Sequence, residues 1–242
     1  MNSKALQQQA QALTQRFLDV VFPPQCAGCK RNGYILCSSC IARIQPLPLP
    51  TCQHCCAPLP PDGICKACYY HRLALSGLRA IGLFQEPLRG YIHALKYKGN
   101  TRLAQPLGEL LAQAYVRYAI QADMIVPVPL HSERERQRGY NHACLLARAC
   151  STKLGIPLHT GLLVRARATL AQVGLNLKDR RQNVAGAFVC SPPFTTGSLL
   201  NRRIIIVDDV STTGSTLEAC AAPLFSAGAL AVWGLVLARS AF

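Results

Sequence analysis

Apolar and polar positions follow different rhythms along this 242-residue chain, and the changes of rhythm divide it into three parts. In the first, Leu6, Ala10, Leu13, Phe17 and Val20 recur at three- and four-residue steps, which predicts an amphipathic helix within residues 1–22, stopped by Pro23 and Pro24. The face opposite that stripe carries glutamine rather than lysine, so the stripe is expected to pack on the protein's own body and not on a membrane. Between Cys26 and Cys68 the periodicity vanishes: proline and glycine are frequent, apolar residues sparse, and burial alone cannot fold such a stretch. From Leu78 onward, short β-branched runs alternate with helical periods, the pattern of an α/β domain built on a parallel sheet. The predicted organisation is a helix over 1–22, a cysteine-rich module over 23–75 and an α/β domain over 76–242.

Within that last part, strands are expected at 78–84, 124–128, 162–164, 188–190, 204–207 and 230–237. Helices are expected at 103–120, with an interruption near Gly108, at 141–154, with Gly155 beyond its end, and at 215–225. Residues 219–238 are apolar enough to suggest a membrane span, but Pro223, Ser226 and Gly228 divide them into a helix and a buried strand. The chain starts Met1-Asn2-Ser3-Lys4 and runs into glutamine-rich sequence with no apolar core, so no secretory signal is read and a cytoplasmic location is expected.

Composition refines this picture. Half of the residues are hydrophobic and 15% are charged, which excludes a largely disordered chain. Lysine and arginine outnumber the acids 26 to 11, for a formal charge of +15. Such an excess suits a nucleic-acid backbone, a pyrophosphate or an anionic surface, although scattered charge of this kind also occurs on basic proteins with no polyanion partner.

Eight of the thirteen cysteines form four Cys-x-x-Cys pairs: Cys26 and Cys29, Cys37 and Cys40, Cys52 and Cys55, Cys65 and Cys68. Redox Cys-x-x-Cys motifs usually come singly, and disulfide scaffolds have no need of repeated two-residue gaps. Four tandem pairs are the pattern of structural zinc, in which two tight knuckles each give two thiolates to a tetrahedral ion. The spacing is a degenerate repeat, so one or two zinc ions are expected, with each half forming its own four-cysteine site or with pairs interleaved between halves. His54 and Cys56 are read as incidental knuckle residues, and Cys144, Cys150, Cys190 and Cys220 as small core hydrophobes.

The segment Ile204-Ile205-Ile206-Val207-Asp208-Asp209-Val210-Ser211-Thr212-Thr213-Gly214-Ser215-Thr216 carries the most specific chemistry. A β-branched strand ends in two carboxylates, and a loop of small hydroxylated residues then opens a helix. Ser211, Thr212, Thr213, Gly214, Ser215 and Thr216 offer amides and hydroxyls to a phosphate, while Asp208 and Asp209 would meet ribose hydroxyls directly or beside Mg2+. The competing reading is a structural strand followed by a capped helix. No Gly-Lys-Ser/Thr follows, so this is not an ATP-binding P-loop.

Three basic stretches accompany it. Arg134, Arg136 and Arg138 precede Gly139-Tyr140-Asn141 and form either a solvated turn balanced by Glu133 and Glu135 or, with Arg136, Arg138 and Asn141 acting together, an anion site. Residues 165–183, with Arg167, Gln172 and Asn183, read as a mobile basic loop or as an ordinary exposed connection. Lys96-Tyr97-Lys98 would grip a phosphate chain or single-stranded nucleic acid, or else would hold a half-buried tyrosine between surface lysines.

Residues 204–216 resemble the signature of type I phosphoribosyltransferases, which bind 5-phosphoribosyl-1-pyrophosphate (PRPP). Taken with Phe22-Pro23-Pro24, the tandem cysteine pairs, Leu95-Lys96-Tyr97-Lys98-Gly99, Pro127-Val128-Pro129-Leu130 and Arg138-Gly139-Tyr140-Asn141, nearly the whole chain resembles the ComF family. That family joins a cysteine-rich zinc module to a domain of type I phosphoribosyltransferase fold and is associated with competence, DNA uptake and use of external DNA.

The resemblance implies a zinc-ribbon-like module on a PRPP-binding domain, with the pyrophosphate near Arg136 and Arg138 and a flexible loop, 165–183, closing over it. No segment is an obvious base-binding hood, although the N-terminal helix, the zinc module and Tyr69-Tyr70-His71 are available to make one. Three roles follow: a Mg2+-dependent pentosyl transferase, a PRPP-sensing protein that binds single-stranded DNA, or an adaptor that docks proteins of the DNA-uptake machinery.

Overall fold

A computed structural model describes residues 23–167, 177–194 and 197–240. The helix expected within 1–22 lies outside the described residues, as does Gln172. The chain forms two compact units that divide between Arg43 and Ile44.

The first unit holds two cysteine knuckles. Gln25 and Asn32 pair across one of them, and the short helix α1 (Ser38–Ile41) spans the other. In the second unit Thr51 and Pro58 make the equivalent bridge and α2 (Lys66–Tyr70) the equivalent helix, so the spacing repeat seen in sequence is a structural repeat. The second pair of knuckles is joined directly to the sheet. Leu78 N donates to His54 O and the Arg79 guanidinium to Gln53 O, each at 2.8 Å.

The rest of this unit runs β1 (Gly77–Leu83), α3 (Leu88–Tyr97), a 3-10 turn (Thr101–Leu103), α4 (Ala104–Arg117), β2 (Met124–Pro127), α5 (Ser132–Arg138), α6 (His142–Leu154), β3 (Leu163–Arg165), α7 (Leu177–Val184), β4 (Phe188–Cys190), β5 (Arg203–Ser211), α8 (Ser215–Ser226) and β6 (Ala231–Arg239). Four strands form a parallel sheet in the order β1-β6-β5-β2, and β3 and β4 form a separate antiparallel pair. Central position explains the β-branched run: Ile204, Ile205, Ile206 and Val207 have neighbours on both edges and packing on both faces, and all four are fully buried.

The structure departs from the sequence expectations at several elements. The helix α4 is unbroken through Gly108, which is a contact point rather than an interruption. A Cβ there would lie 2.4 Å from Ala149 Cβ and 2.7 Å from Leu146 O, so glycine lets α4 and α6 approach closely. The arginine-rich turn is the helix α5, begun by His131 and ended by Gly139 in the left-handed region at φ 82°. Leu88, Tyr91, Ile92 and Leu95 bury one side of α3, a helix not expected from the sequence. The stretch expected as a loop over 165–183 contains the end of β3 and most of α7 among its described residues.

The strand β5 outlasts its apolar run. Asp208, Val210 and Ser211 stay in register with Val236, Ala238 and Arg239 of β6, which carries both aspartates to the carboxyl end of the sheet with the loop to α8 immediately beyond.

Candidate functional site

Ligands of open parallel sheets bind beyond the carboxyl ends of the strands, and the loop between β5 and α8 lies there. Asp208, Val210, Ser211, Thr212, Thr213, Gly214, Ser215, Thr216 and Leu217 line one small pocket. Gly214 has φ 86°, and a Cβ on it would come within 2.5 Å of the Leu73 side chain, so both backbone shape and space demand glycine. The hydroxyls of Thr213 and Ser215 lie 2.7 Å apart, and Thr213 Oγ1 accepts from Ser215 N, which turns the chain into α8. A twelve-residue helix therefore points its amino end at a pocket edged with hydroxyls, a favourable setting for a phosphate.

The two aspartates differ. Asp208 lines the pocket, and one of its oxygens accepts from Asp209 N at 2.9 Å. The Asp209 side chain is 3% exposed and is held by Lys96 Nζ at 2.8 Å. Both carboxylates approach His142, whose Nε2 is 3.6 Å from Asp209 Oδ2 and 4.0 Å from Asp208 Oδ1. On the other side of the ring, Arg138 Nη1 lies 2.7 Å from His142 Nδ1. A guanidinium can only donate, so Nδ1 accepts and the ring proton belongs on Nε2, facing the acids.

Burial resists ionisation of both aspartates. At Asp209, Lys96 and His142 overcome it and hold the carboxyl well below the usual range. At Asp208, burial and the adjacent Asp209 charge prevail over His142 and Lys96 and push the carboxyl up to about 6. Burial works equally against the Lys96 ammonium, but Asp209 and Asp208 raise its pKa above the ordinary lysine value.

Next to this network is a cleft of about 550 Å³ lined by Lys96, Tyr97, Gly99, Arg134, Gln137, Arg138 and Tyr140. Arg134 and Arg138, one helical turn apart on α5, face it, whereas Arg136 is exposed elsewhere on the helix and Lys98 is absent from the lining. Tyr97 is 65% exposed, so the half-buried alternative does not hold, and the Arg138 guanidinium stacks 5.4 Å from its ring centroid. Asn141 is a structural residue. Its amide oxygen accepts from Ala143 N and Cys144 N to cap α6, and its Nδ2 donates to Val128 O.

Arg167 donates to Asn183 O and Ala185 O, so these two expected ligands tie β3 to the end of α7. His142 was not singled out in the sequence. The signal for it was the Asn141 cap, which makes His142 the first residue of a helix directed at the acids.

Eight of the described cysteines gather as two separate sets, Cys26, Cys29, Cys37 and Cys40, and Cys52, Cys55, Cys65 and Cys68, which resolves the pairing within each half. Cys29 and Cys37 sulfurs lie 3.6 Å apart, Cys52 and Cys68 3.7 Å, and Cys55 and Cys65 3.6 Å. Zinc–sulfur bonds of about 2.3 Å in a tetrahedron require sulfur separations of about 3.8 Å, far from a disulfide, so both sets fit structural zinc. Backbone amides also aim at sulfur, with Cys37 N donating to Cys26 and His54 N to Cys52, each at 3.4 Å. His54 itself bonds Leu73 O through Nε2, and Cys56 is buried outside the cluster, so neither joins it.

Comparison with known proteins agrees with the sulfur geometry: the family described as double zinc ribbon domain matches residues 17–69. Competence protein F of Haemophilus influenzae is 35% identical over 88% of this chain and 97% of its own length. The DNA utilization protein YhgH of Salmonella typhimurium is 31% identical over 85% and 90%. Among solved structures, glutamine PRPP amidotransferase from B. subtilis, complexed with ADP and GMP, overlaps 56% of this chain and 26% of its own at 22% identity and a TM-score of 0.37. No helix among the described residues is long and apolar enough to cross a membrane.

Proposed function

Because the chain belongs to the ComF family of competence and DNA-utilization proteins, we propose that it binds PRPP or a related phosphorylated sugar and acts in the uptake, processing or utilisation of single-stranded DNA in the cytoplasm. The observation that carries this reading is the pocket at the end of β5, where Asp208 and the hydroxyl-rich loop share one cavity at the head of α8. In it, residues 211–216 hold the 5′-phosphate and Asp208 meets the ribose hydroxyls.

Asp209 is already neutralised by Lys96 and serves to fix that lysine at the rim of the neighbouring cleft. Arg134 and Arg138 in the cleft take the diphosphate. Magnesium commonly binds one or two carboxylates together with substrate phosphates, and Asp208 is the carboxylate left to receive it. Bound there, the ion would neutralise diphosphate charge. If an acceptor attacks the anomeric carbon, the C1–O bond breaks toward the pyrophosphate, and the arginines stabilise the charge that departs.

Single-stranded DNA would follow the same basic cleft, with Tyr97 as a stacking face, and proteins of the uptake machinery are the expected further partners.

Calorimetry with PRPP and Mg2+ tests the sugar-phosphate reading. A saturable heat is expected for the native chain and none for Ser215→Glu, which places a carboxylate where phosphate should lie. A native chain without saturable heat overturns PRPP binding and favours the adaptor role. Oligonucleotide affinity should fall steeply with added salt, and a flat response removes the phosphate-contact mechanism.

A further inference from the structure

The Arg138 guanidinium and the two aspartates meet opposite sides of one imidazole. Arg138 Nη1 is 2.7 Å from His142 Nδ1, while His142 Nε2 is 3.6 Å from Asp209 Oδ2 and 4.0 Å from Asp208 Oδ1. Arg138 lines the basic cleft and Asp208 lines the pocket at the head of α8. His142 lines neither, and its side chain is only 4% exposed, so whatever it does for a ligand it does through the residues on its two sides.

The chain around the ring is pinned. Gly139, at φ 82°, ends α5 and turns the chain toward α6. The Tyr140 hydroxyl donates to Leu95 O in α3, and Asn141 Nδ2 donates to Val128 O just beyond β2 while its oxygen caps α6. Leu95 precedes Lys96, whose Nζ pairs with Asp209 at 2.8 Å. The contacts therefore close a circuit: Lys96 to Asp209, Asp209 to His142, His142 to Arg138, and Arg138 through the turn and Tyr140 back to α3. In that setting the Nδ1 lone pair faces Arg138 and the Nε2 proton faces the acids. Without the acceptor at Nδ1, the guanidinium would keep the exposed Tyr97 ring, a less directional hold. Without the donor at Nε2, two neighbouring carboxylates would lose the group placed between them and push apart.

We infer that His142 is the positioning residue that joins cleft and pocket into one binding site, aiming Arg138 through Nδ1 and setting the Asp208 and Asp209 carboxylates through Nε2. The inference rests on reading the pocket as a sugar-phosphate cradle and the cleft as its diphosphate arm. A ligand that spans both cavities needs its two groups of contacts at a fixed spacing, and side chains that never touch the ligand supply that support.

Substitution can separate the two sides of the ring. Asparagine keeps an amide oxygen near the place of Nδ1 and reaches no further, whereas glutamine carries its amide to the place of Nε2 and leaves Arg138 without its acceptor. Calorimetry on the full-length chain with zinc bound, in Mg2+, uses inorganic pyrophosphate as the probe of the cleft and ribose 5-phosphate as the probe of the pocket. His142→Asn is expected to weaken ribose 5-phosphate by about tenfold and pyrophosphate far less, and His142→Gln to do the reverse, a size usual for coupling between sites. A residue that merely fills space would weaken both probes alike in both variants.

Nitrogen-15 NMR of the histidine-labelled chain reads the ring directly, with His142 assigned through its backbone amide. Nδ1 should be the acceptor and Nε2 should carry the proton, and Arg138→Met should produce a mixture of tautomers. Equal losses for both probes in both variants, or native binding in both, would overturn the inference, and so would a ring proton fixed on Nδ1. Should neither variant fold, the native tautomer and its response to Arg138→Met decide. If that tautomer is as stated but neither probe binds the native chain, the link between Arg138 and the acids stands and the sugar-phosphate reading fails.

Discussion

Lys96 Nζ lies 2.8 Å from Asp209 Oδ2, and the pair joins the end of α3 to the carboxyl end of β5. The lysine side chain is 26% exposed and the aspartate 3%, so removing the cation leaves a nearly enclosed charge without its main partner. Lys96→Met should therefore destabilise the fold by about 3–5 kcal/mol in urea titrations, and Lys96→Met with Asp209→Leu should recover most of the loss. A single variant as stable as the native chain would mean that the pair anchors nothing.

Asp208 predicts the opposite sign. Its carboxyl is raised from 3.8 to about 6, chiefly by burial and then by Asp209. An acid whose pKa rises on folding holds its proton more tightly in the folded chain. The stability it contributes is present below about 4 and is lost as pH climbs through about 6, so at neutral pH its ionised form is a burden. Asp208→Asn should raise stability at pH 7 by an amount on the order of 1–3 kcal/mol, with little change at pH 4, and should weaken PRPP binding. A variant less stable than the native chain at pH 7 would contradict this electrostatic balance.

Zinc content gives a direct count. Two tetrahedral cysteine sets should bring two zinc ions per chain, with Cys29→Ser and Cys68→Ser each removing one of them in native mass spectrometry. A single ion that either substitution abolishes would show that one set does not bind metal.

At Gly108 two magnitudes compete. Replacing glycine by alanine inside a helix gains about 1 kcal/mol in propensity, but crowding a packed contact costs about 1–3 kcal/mol. The new Cβ would meet Ala149 Cβ at 2.4 Å, so crowding should win and Gly108→Ala should lower the melting temperature. Ala149→Gly in the same chain should relieve only part of the loss, because Leu146 O at 2.7 Å remains, and a Gly108→Ala chain as stable as the native one would show that crowding does not decide.

What the sequence disclosed follows from locality. The proposed phosphate loop is one contiguous segment in which strand, acids, hydroxyls and Gly214 each carry their own signal, and the cysteine pairs announce themselves by spacing. The parallel α/β arrangement was legible for the same reason, because buried central strands are written as β-branched runs. His142 and Arg239 were not legible. Each takes its meaning from a partner distant in sequence, Asp209 for one and Ser211 for the other. A histidine after a cap and an arginine closing a strand look like surface residues until the register is known. Gly108 misled because glycine marks a helix break and a close helix contact with the same letter.

The arginine stretch shows how much a single secondary-structure assignment decides. Read as a turn, Arg134, Arg136 and Arg138 are interchangeable. As the helix α5, they are phased: Arg134 and Arg138 share the cleft with Lys96 and Tyr97, and Arg136 faces elsewhere. Phosphate contacts each add about one unit to the dependence of binding on the logarithm of salt concentration. Arg134→Gln should therefore weaken binding of a labelled oligothymidylate and lower that dependence by about one unit, whereas Arg136→Gln should change neither. Arg138→Gln should act more strongly than Arg134→Gln, since it also removes the donor to His142 and the cation over Tyr97. Equal effects from all three arginines would mean that the strand follows general surface charge and not the cleft.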